Sequence, residues 1–170
     1  MQVAAKEFKE LDTVVLAISF RSVEFNAKLC TKEGLSFHVL SDLDRAVIRK
    51  YGVWNEKEDC AQRVTFLIDK DGWIRRIERK VRPETHAEDM IDLIRKWKSG
   101  RAIYSVYCAR CHGDDGNETG YPDIKKLGGI GNRLTTPAQI IKATAASGLV
   151  DLDAIGQKNL EALAIYVGGL

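Results

Sequence analysis

Apolar positions follow two different periodicities along this chain, and the change falls near residue 98. Up to that point, short apolar runs alternate with stretches of helical spacing. This order is typical of an α/β sheet with a parallel part and an antiparallel edge. The runs predict strands at 13–18, 36–40, 63–68 and 73–81, and the helical spacing predicts helices at 3–11, 22–34, 41–52 and 85–98.

Local signals set the ends of several of these elements. Ser22 and Gly34 are typical of the residues at which a helix begins and ends. The Asp-Lys-Asp-Gly sequence at 69–72 predicts a hairpin turn. The helix at 41–52 is predicted to begin at Ser41-Asp42, to end at Gly52 and to turn four apolar side chains inward, namely Leu43, Val47, Ile48 and Tyr51.

After Ser99 no strand pattern remains, and the rest of the chain is predicted to be all-α. We therefore predict two domains, residues 1–98 and residues 99–170. No linker rich in proline or serine separates them, so the domains are expected to abut or to share a nearly continuous helix. The helical patterns of the second domain lie at about 100–110, 137–147 and 157–168.

Composition and charge narrow the classes of molecule that the protein is expected to bind. The 170 residues are 45% hydrophobic and 29% charged, as in globular proteins, and the formal net charge is +2. Before Ser99 there are 19 basic and 17 acidic residues, and 7 of each from there on. Neither half therefore carries a field that would attract nucleic acid or an anionic membrane. No apolar run approaches the ~18 residues of a membrane-spanning helix.

The second domain contains the sequence Cys108-Ala109-Arg110-Cys111-His112. In such a motif the two thiols lie about one helical turn apart and reach the two vinyl groups of one porphyrin edge, while the imidazole points at the iron. A zinc site would need a fourth ligand, and no cysteine or histidine follows His112. A thioredoxin-type redox pair would follow a strand, whereas this motif follows an amphipathic helix. We therefore predict one covalent haem c per chain, with His112 as an axial ligand of the iron.

Around this motif, residues 99–170 resemble a class I cytochrome c. Gly100 and Tyr104 match the small-x-x-x-aromatic pattern of that family's N-terminal helix. Leu163 and Tyr166 lie on the C-terminal helix that would cross it, and Gly100 permits a close approach. The resemblance implies that this domain transfers electrons.

A loop after the haem motif and the sixth ligand of the iron extend the comparison with class I cytochromes c. The segment at 120–124 resembles the family's loop in which a proline carbonyl, here that of Pro122, accepts the proton on the far nitrogen of the axial histidine. The family usually supplies a methionine as sixth ligand, but this chain has only Met1 and Met90, and Leu149 and Ile155 stand roughly where one is expected. We predict that the ferric protein lacks the near-infrared band of sulfur ligation. The sixth position is open to water, to no ligand at all, or to Lys142, Lys158, His38, His86 or Met90.

Residues 1–98 resemble the last two-thirds of a peroxiredoxin of the AhpC/TSA, bacterioferritin-comigratory kind. Thioredoxins carry a cis-proline just before the strand at 63–68, and this chain has Arg63-Val64 there, which favours peroxiredoxin. The resemblance implies a thioredoxin-like fold lacking its first strand. The matching segments are VVLAIS (14–19), LSD (40–42), YGVW (51–54), EK (56–57), RVTFLID (63–69), DG (71–72) and HAE (86–88).

The resemblance also implies site residues in this first domain. In the family, the arginine that matches Arg63 helps to hold the peroxide and lowers the pKa of the nucleophilic thiol. The family's Pro-xxx-Thr-xx-Cys nucleophile is absent from this sequence. Cys60 lies three residues before Arg63, but its acidic neighbours would raise a thiol pKa, so we interpret it as a free or resolving-type thiol. Cys30 is expected to be a buried core cysteine.

Two expected sequence features, the nucleophile motif and a signal peptide, are both missing at the start of the chain. The nucleophile motif would lie upstream of Val14, and the first twelve residues contain no apolar signal-peptide core. Attachment of haem through thioethers nevertheless implies a protein exported to the periplasm or an equivalent compartment. We therefore expect this chain to be an N-terminally truncated fragment.

Three functions fit these features. The first is a fusion in which haem carries electrons to or from a thiol peroxidase domain, with a peroxide as substrate and a redox protein as partner. The second is an electron carrier whose α/β domain only docks partners. The third is a haem sensor that binds small ligands, because the sixth iron ligand is not evident. The sequence leaves the oligomeric state open.

Overall fold

The computed structural model describes residues 4–117, 126–127, 130, 136–147 and 152–170. The chain divides into two compact units, Met1–Ile91 and Asp92–Leu170. This division falls inside a long helix, a few residues before the boundary that we expected near residue 98. Among the residues that the structure describes, no helix combines the length and the apolar character needed to cross a membrane.

The first unit is an α/β unit built on three two-stranded ladders. β1 and β2 pair in parallel, with Leu16 opposite His38, while β3–β4 and β5–β6 are antiparallel. Its elements are α1 (Ala5–Glu10), β1 (Leu16–Ser19), α2 (Val23–Glu33), β2 (His38–Ser41), α3 (Ala46–Lys50), β3 (Trp54–Asn55), β4 (Cys60–Ala61), β5 (Thr65–Ile68), β6 (Ile74–Glu78) and the start of α4 (His86–Tyr107).

The parallel pair has one apolar face in solvent. Leu16, Ile18 and Leu40 are exposed on the same side of β1–β2, and α2 lies against the other side. On that other side Asn26 of α2 is buried and donates a hydrogen bond from Nδ2 to Ser41 Oγ at 2.9 Å. The parallel pair is therefore covered by α2 on one face and leaves apolar side chains exposed on the other.

Both predicted ends of α2 are confirmed. Ser22 has an extended backbone, and its Oγ accepts a hydrogen bond from the Phe25 amide at 3.2 Å. This bond satisfies one of the amides that every helix start leaves without an intrahelical partner. Gly34 has φ 60° and ψ 35°, the left-handed conformation that glycine adopts without steric cost, and the helix ends there.

The predicted start of α3 is wrong. β2 extends through Ser41, and the helix begins only at Ala46. The Asp42 carboxylate accepts hydrogen bonds from the Ile48 amide at 2.8 Å and the Val47 amide at 3.2 Å, and these bonds hold the pKa of Asp42 below its usual value. Of the four side chains predicted to face inward, only Ile48 is buried, and Leu43 is 64% exposed.

The hairpin turn at 69–72 is confirmed. The Asp69 amide donates to the Trp73 carbonyl at 3.0 Å, and Gly72 has φ 86°. Burial alone would raise the pKa of Asp69, but the Trp73 amide and the Arg75 guanidinium together lower it below its usual value. The Arg75 Nε lies 2.7 Å from the Asp69 carboxylate, so the turn residue also anchors the returning strand.

The described part of the second unit is entirely helical. α4 continues without a break through Ser99 and Gly100 to Tyr107, so the two helices predicted at 85–98 and 100–110 are one. The remaining helices are α5 (Ala109–His112), α6 (Pro137–Ser147), α7 (Leu152–Ile155) and α8 (Gln157–Gly168).

The core of this unit forms where α4 and α8 cross. A Cβ built on Gly100 would lie 2.0 Å from the Ala162 carbonyl oxygen, so the two backbones are in direct contact there. One turn further along, the Tyr104 ring packs on the Tyr166 ring, with 5.1 Å between centroids. The predicted crossing at Gly100 is therefore confirmed, and Leu163 is buried in the same cluster.

Candidate functional site

The two cysteines and the histidine of the motif lie on one helical turn. The Cys108 amide donates to the Tyr104 carbonyl at 2.8 Å, which completes the last turn of α4. The Cys108 carbonyl then accepts from the Cys111 amide at 3.1 Å and the His112 amide at 3.0 Å. This turn is the spacing at which two thiols can reach one edge of a porphyrin.

Cys108 is a buried thiol. Its side chain is part of the apolar core and only 8% exposed, whereas Cys111 is half-buried, and both are free cysteines. Burial, with a smaller contribution from Cys111, raises the pKa of Cys108 to about 11. A redox-active Cys-x-x-Cys pair needs a lowered thiol pKa, so this arrangement disfavours the thioredoxin-type alternative.

The chain turns sharply after His112. Gly113 has φ 70° and ψ 174°, a conformation that is essentially restricted to glycine. The Tyr104 hydroxyl donates to the Gly113 carbonyl at 2.8 Å, and the Tyr166 hydroxyl donates to the Asp114 carbonyl at 3.5 Å. Two tyrosines from the crossing helices therefore hold the segment that leaves the motif.

These residues fit a covalent haem better than a bare metal ion. Two free thiols one helical turn apart, with an imidazole directly after the second, are the donor set of haem c. Among the described ranges, no group of three or more His, Cys, Asp or Glu side chains could hold a metal ion by itself. Pro122, predicted to orient His112, lies outside the described residues.

The residues considered as the sixth iron ligand differ in burial, as do the two positions at which a methionine was expected. In the second unit Ile155 is buried, Lys142 and Lys158 are exposed, and Leu149 lies outside the described residues. In the first unit His38 is exposed and Met90 is buried. His86 is also buried, which lowers its pKa, and its Nε2 is 2.8 Å from Thr65 Oγ1. No choice among these candidates follows.

The candidate residues of the first unit lie near the start of β5. Arg63 is exposed, two residues before the strand, and forms no ion pair with the described residues. Cys60 is half-buried at the start of β4, and its Sγ lies 3.8 Å from Glu58 Oε2. Cys30 is half-buried on α2, so its predicted place in the core is wrong, and both cysteines are free.

Sequence reasoning missed one cluster of this unit. The Arg45 guanidinium stacks over the Trp54 ring at 4.5 Å, and the Trp54 indole N–H donates to Glu56 at 3.0 Å. Arg45 has φ 62°, an uncommon value for a residue with a side chain. The stacked Arg45 covers the Trp54 ring, a contact that was not evident from the sequence because Arg45 fell inside the helix predicted at 41–52.

The first unit has relatives of known family. Residues 1–77 match the AhpC/TSA family. The chain is 35% identical over 95 residues to the putative peroxiredoxin bcp of Haemophilus influenzae, a match that covers 52% of this chain and 61% of that protein. It is 32% identical over 96 residues to peroxiredoxin Bcp of Escherichia coli, covering 53% of this chain and 62% of that one.

The fold has a solved counterpart as well. The structure of Xanthomonas campestris peroxiredoxin Q matches with a TM-score of 0.52 and 28% sequence identity, over 55% of this chain and 63% of that chain. Of the two curated relatives, this chain spans 61% of the length of the Haemophilus influenzae protein and 62% of the Escherichia coli protein.

Proposed function

We propose, from the premise that the N-terminal part of this chain is a peroxiredoxin domain of the AhpC/TSA, Bcp type with a thioredoxin-like fold, that electron transfer through a covalent haem c in the second unit is coupled to this domain. The observation that carries the haem part is the single helical turn that contains Cys108, Cys111 and His112. The substrate is proposed to be a peroxide, and the partner a redox protein.

Each residue of the turn has one task in this proposal. Cys108 and Cys111 would hold the porphyrin through two thioethers, and His112 would be a ligand of the iron. When bound, haem c would supply a one-electron carrier. The apolar core that contains Cys108 would help to exclude water from the attachment site, and the Pro122 carbonyl is proposed to fix the His112 tautomer.

The class I cytochrome c assignment of the second unit is part of the proposal. The close contact of α4 with α8 at Gly100 and the tyrosine pair below it support the assignment. Thioether attachment takes place outside the bacterial cytoplasm, so we also propose that the protein works in the periplasm or another exported location.

A spectroscopic experiment tests the electron-transfer proposal. The full chain, produced with a c-type haem maturation system, should be reduced and reoxidised reversibly with one electron per chain. The ferric form should lack a sulfur-to-iron band in the near infrared, because no methionine follows His112. A chain that carries haem but cannot be cycled would contradict the proposal. A sulfur band that disappears in Met90→Ala would refute the predicted ligation.

The missing methionine also favours a second candidate function, a haem that binds small ligands. An open sixth position would let the reduced protein bind carbon monoxide readily. Rapid carbon monoxide binding together with poor electron exchange would favour the sensor, whereas fast exchange without carbon monoxide binding would favour the carrier.

This chain by itself is expected to show no thiol peroxidase activity. Arg63 can bind a peroxide but cannot attack it, and the sequence contains no Pro-xxx-Thr-xx-Cys nucleophile. Peroxide consumption that depends on dithiothreitol should therefore be equal in the unmodified chain and in Cys60→Ser. Activity lost in Cys60→Ser but retained in the matched Cys30→Ser variant would instead identify Cys60 as the nucleophile.

A further inference from the structure

Tyr104 makes a polar contact that its position in an apolar core does not require. It is 1% exposed and lies where α4 crosses α8, so its ring alone would fill the space. Its hydroxyl nevertheless donates to the Gly113 carbonyl at 2.8 Å, an ordinary length for a strong O–H···O bond. The hydroxyl group therefore links the helix core to the residue directly after His112.

The Gly113 carbonyl lies at the point where the chain direction changes. The Gly113 amide still donates to the Ala109 carbonyl at 2.8 Å, as in the preceding helical turn. Its own φ and ψ then turn the chain out of the helix. Besides Tyr104, the Gly116 amide donates to this carbonyl, but at 3.5 Å. The shorter bond from Tyr104 is thus the main restraint on how the chain leaves His112.

We infer that Tyr104 is a positioning residue for His112: by holding the Gly113 carbonyl, its hydroxyl fixes the backbone on which the axial imidazole is mounted. This inference rests on the proposed haem function. Burial raises the pKa of Tyr104 well above its usual value, so the hydroxyl remains a donor from neutral to acid pH. The bond stabilises the backbone arrangement that would present His112 to the iron, so without it acid would displace the imidazole at a higher pH.

Tyr166 provides a matched control in the same core. Its ring packs on Tyr104, and its hydroxyl contacts the next carbonyl, that of Asp114, at 3.5 Å. The Tyr→Phe change removes one buried hydroxyl in each case and leaves the ring packing intact. Only the Tyr104→Phe change removes a short bond to the residue adjacent to His112.

The experiment titrates the ferric full chain with covalent haem from neutral to acid pH and follows the loss of imidazole ligation by its visible spectrum. Tyr104→Phe should move the acid midpoint upward by about half to one pH unit, and Tyr166→Phe by about 0.2 unit at most. Thermal unfolding at neutral pH is measured in parallel for both variants.

Three outcomes separate the possibilities. A larger acid shift in Tyr104→Phe, with similar thermal unfolding of the two variants, supports the positioning role. Equal acid midpoints, whatever the thermal unfolding, overturn it and leave the haem proposal standing. Absence of covalent haem from the unmodified chain overturns the proposed function and the inference together.

Discussion

Replacing both Cys108 and Cys111 by alanine is expected to abolish covalent haem completely. In the proposed function each thiol would supply one of the two thioethers, and neither of the other two cysteines lies on this helical turn. In cells that mature c-type cytochromes, the unmodified chain should keep its colour through acid-acetone extraction and denaturing electrophoresis. The double variant should lose it.

The matched control changes the other two cysteines. A Cys30→Ala and Cys60→Ala double variant removes the same number of thiols from the first unit and should retain full haem. Single variants should keep one thioether and bind haem less stably. Haem that can be extracted from the unmodified chain would contradict the attachment site, as would equal loss of colour in the two double variants.

Gly100→Ala is expected to destabilise the second unit strongly. The new Cβ would lie 2.0 Å from the Ala162 carbonyl oxygen and 2.8 Å from Tyr166 Cβ, so α4 and α8 would have to separate. Alanine favours a helix by about 1 kcal/mol over glycine, which offsets part of the cost. Overpacking of this kind costs about 3 kcal/mol or more, and we expect a net loss of about 2 kcal/mol. That loss corresponds to a fall in Tm of about 10 °C for a unit of this size.

Gly168→Ala is a suitable comparison for this change. The same methyl group there would meet only the end of the Ile140 side chain, at 3.1 Å, which can move aside. Thermal unfolding followed by circular dichroism of the full chain should show a small shift for Gly168→Ala and a large one for Gly100→Ala. A Gly100→Ala protein with an unchanged Tm would show that the close helix contact is wrong.

The sequence predicted best those features that depend on neighbours in the chain. Ser22 and Gly34 determine the ends of α2 by local bonds, and both were found as predicted. Cys108, Cys111 and His112 fall on one turn because their spacing is itself helical. The crossing at Gly100 could also be predicted, because a residue without a side chain is what a close contact of helices requires.

Features that depend on distant or irregular geometry were missed. Asp42 caps α3 from six residues before Ile48, so a search for a cap next to the first apolar residue placed the helix too early. The β3–β4 hairpin has strands of two residues each, which are too short to show a periodicity. The bond from Tyr104 to Gly113 needs both the helix crossing and the turn after His112, and neither position suggests it alone.

The burial of Cys108 imposes an order on how the protein is made. Thioether formation requires that the thiol reach a vinyl group, and in the folded second unit that thiol is enclosed by the side chains of α4 and α8. A chain that folds first would hide its own attachment site, and the high pKa of the enclosed thiol would slow the addition further. The proposed haem would therefore have to be joined while this part of the chain is still unfolded, so its attachment would compete with folding in time.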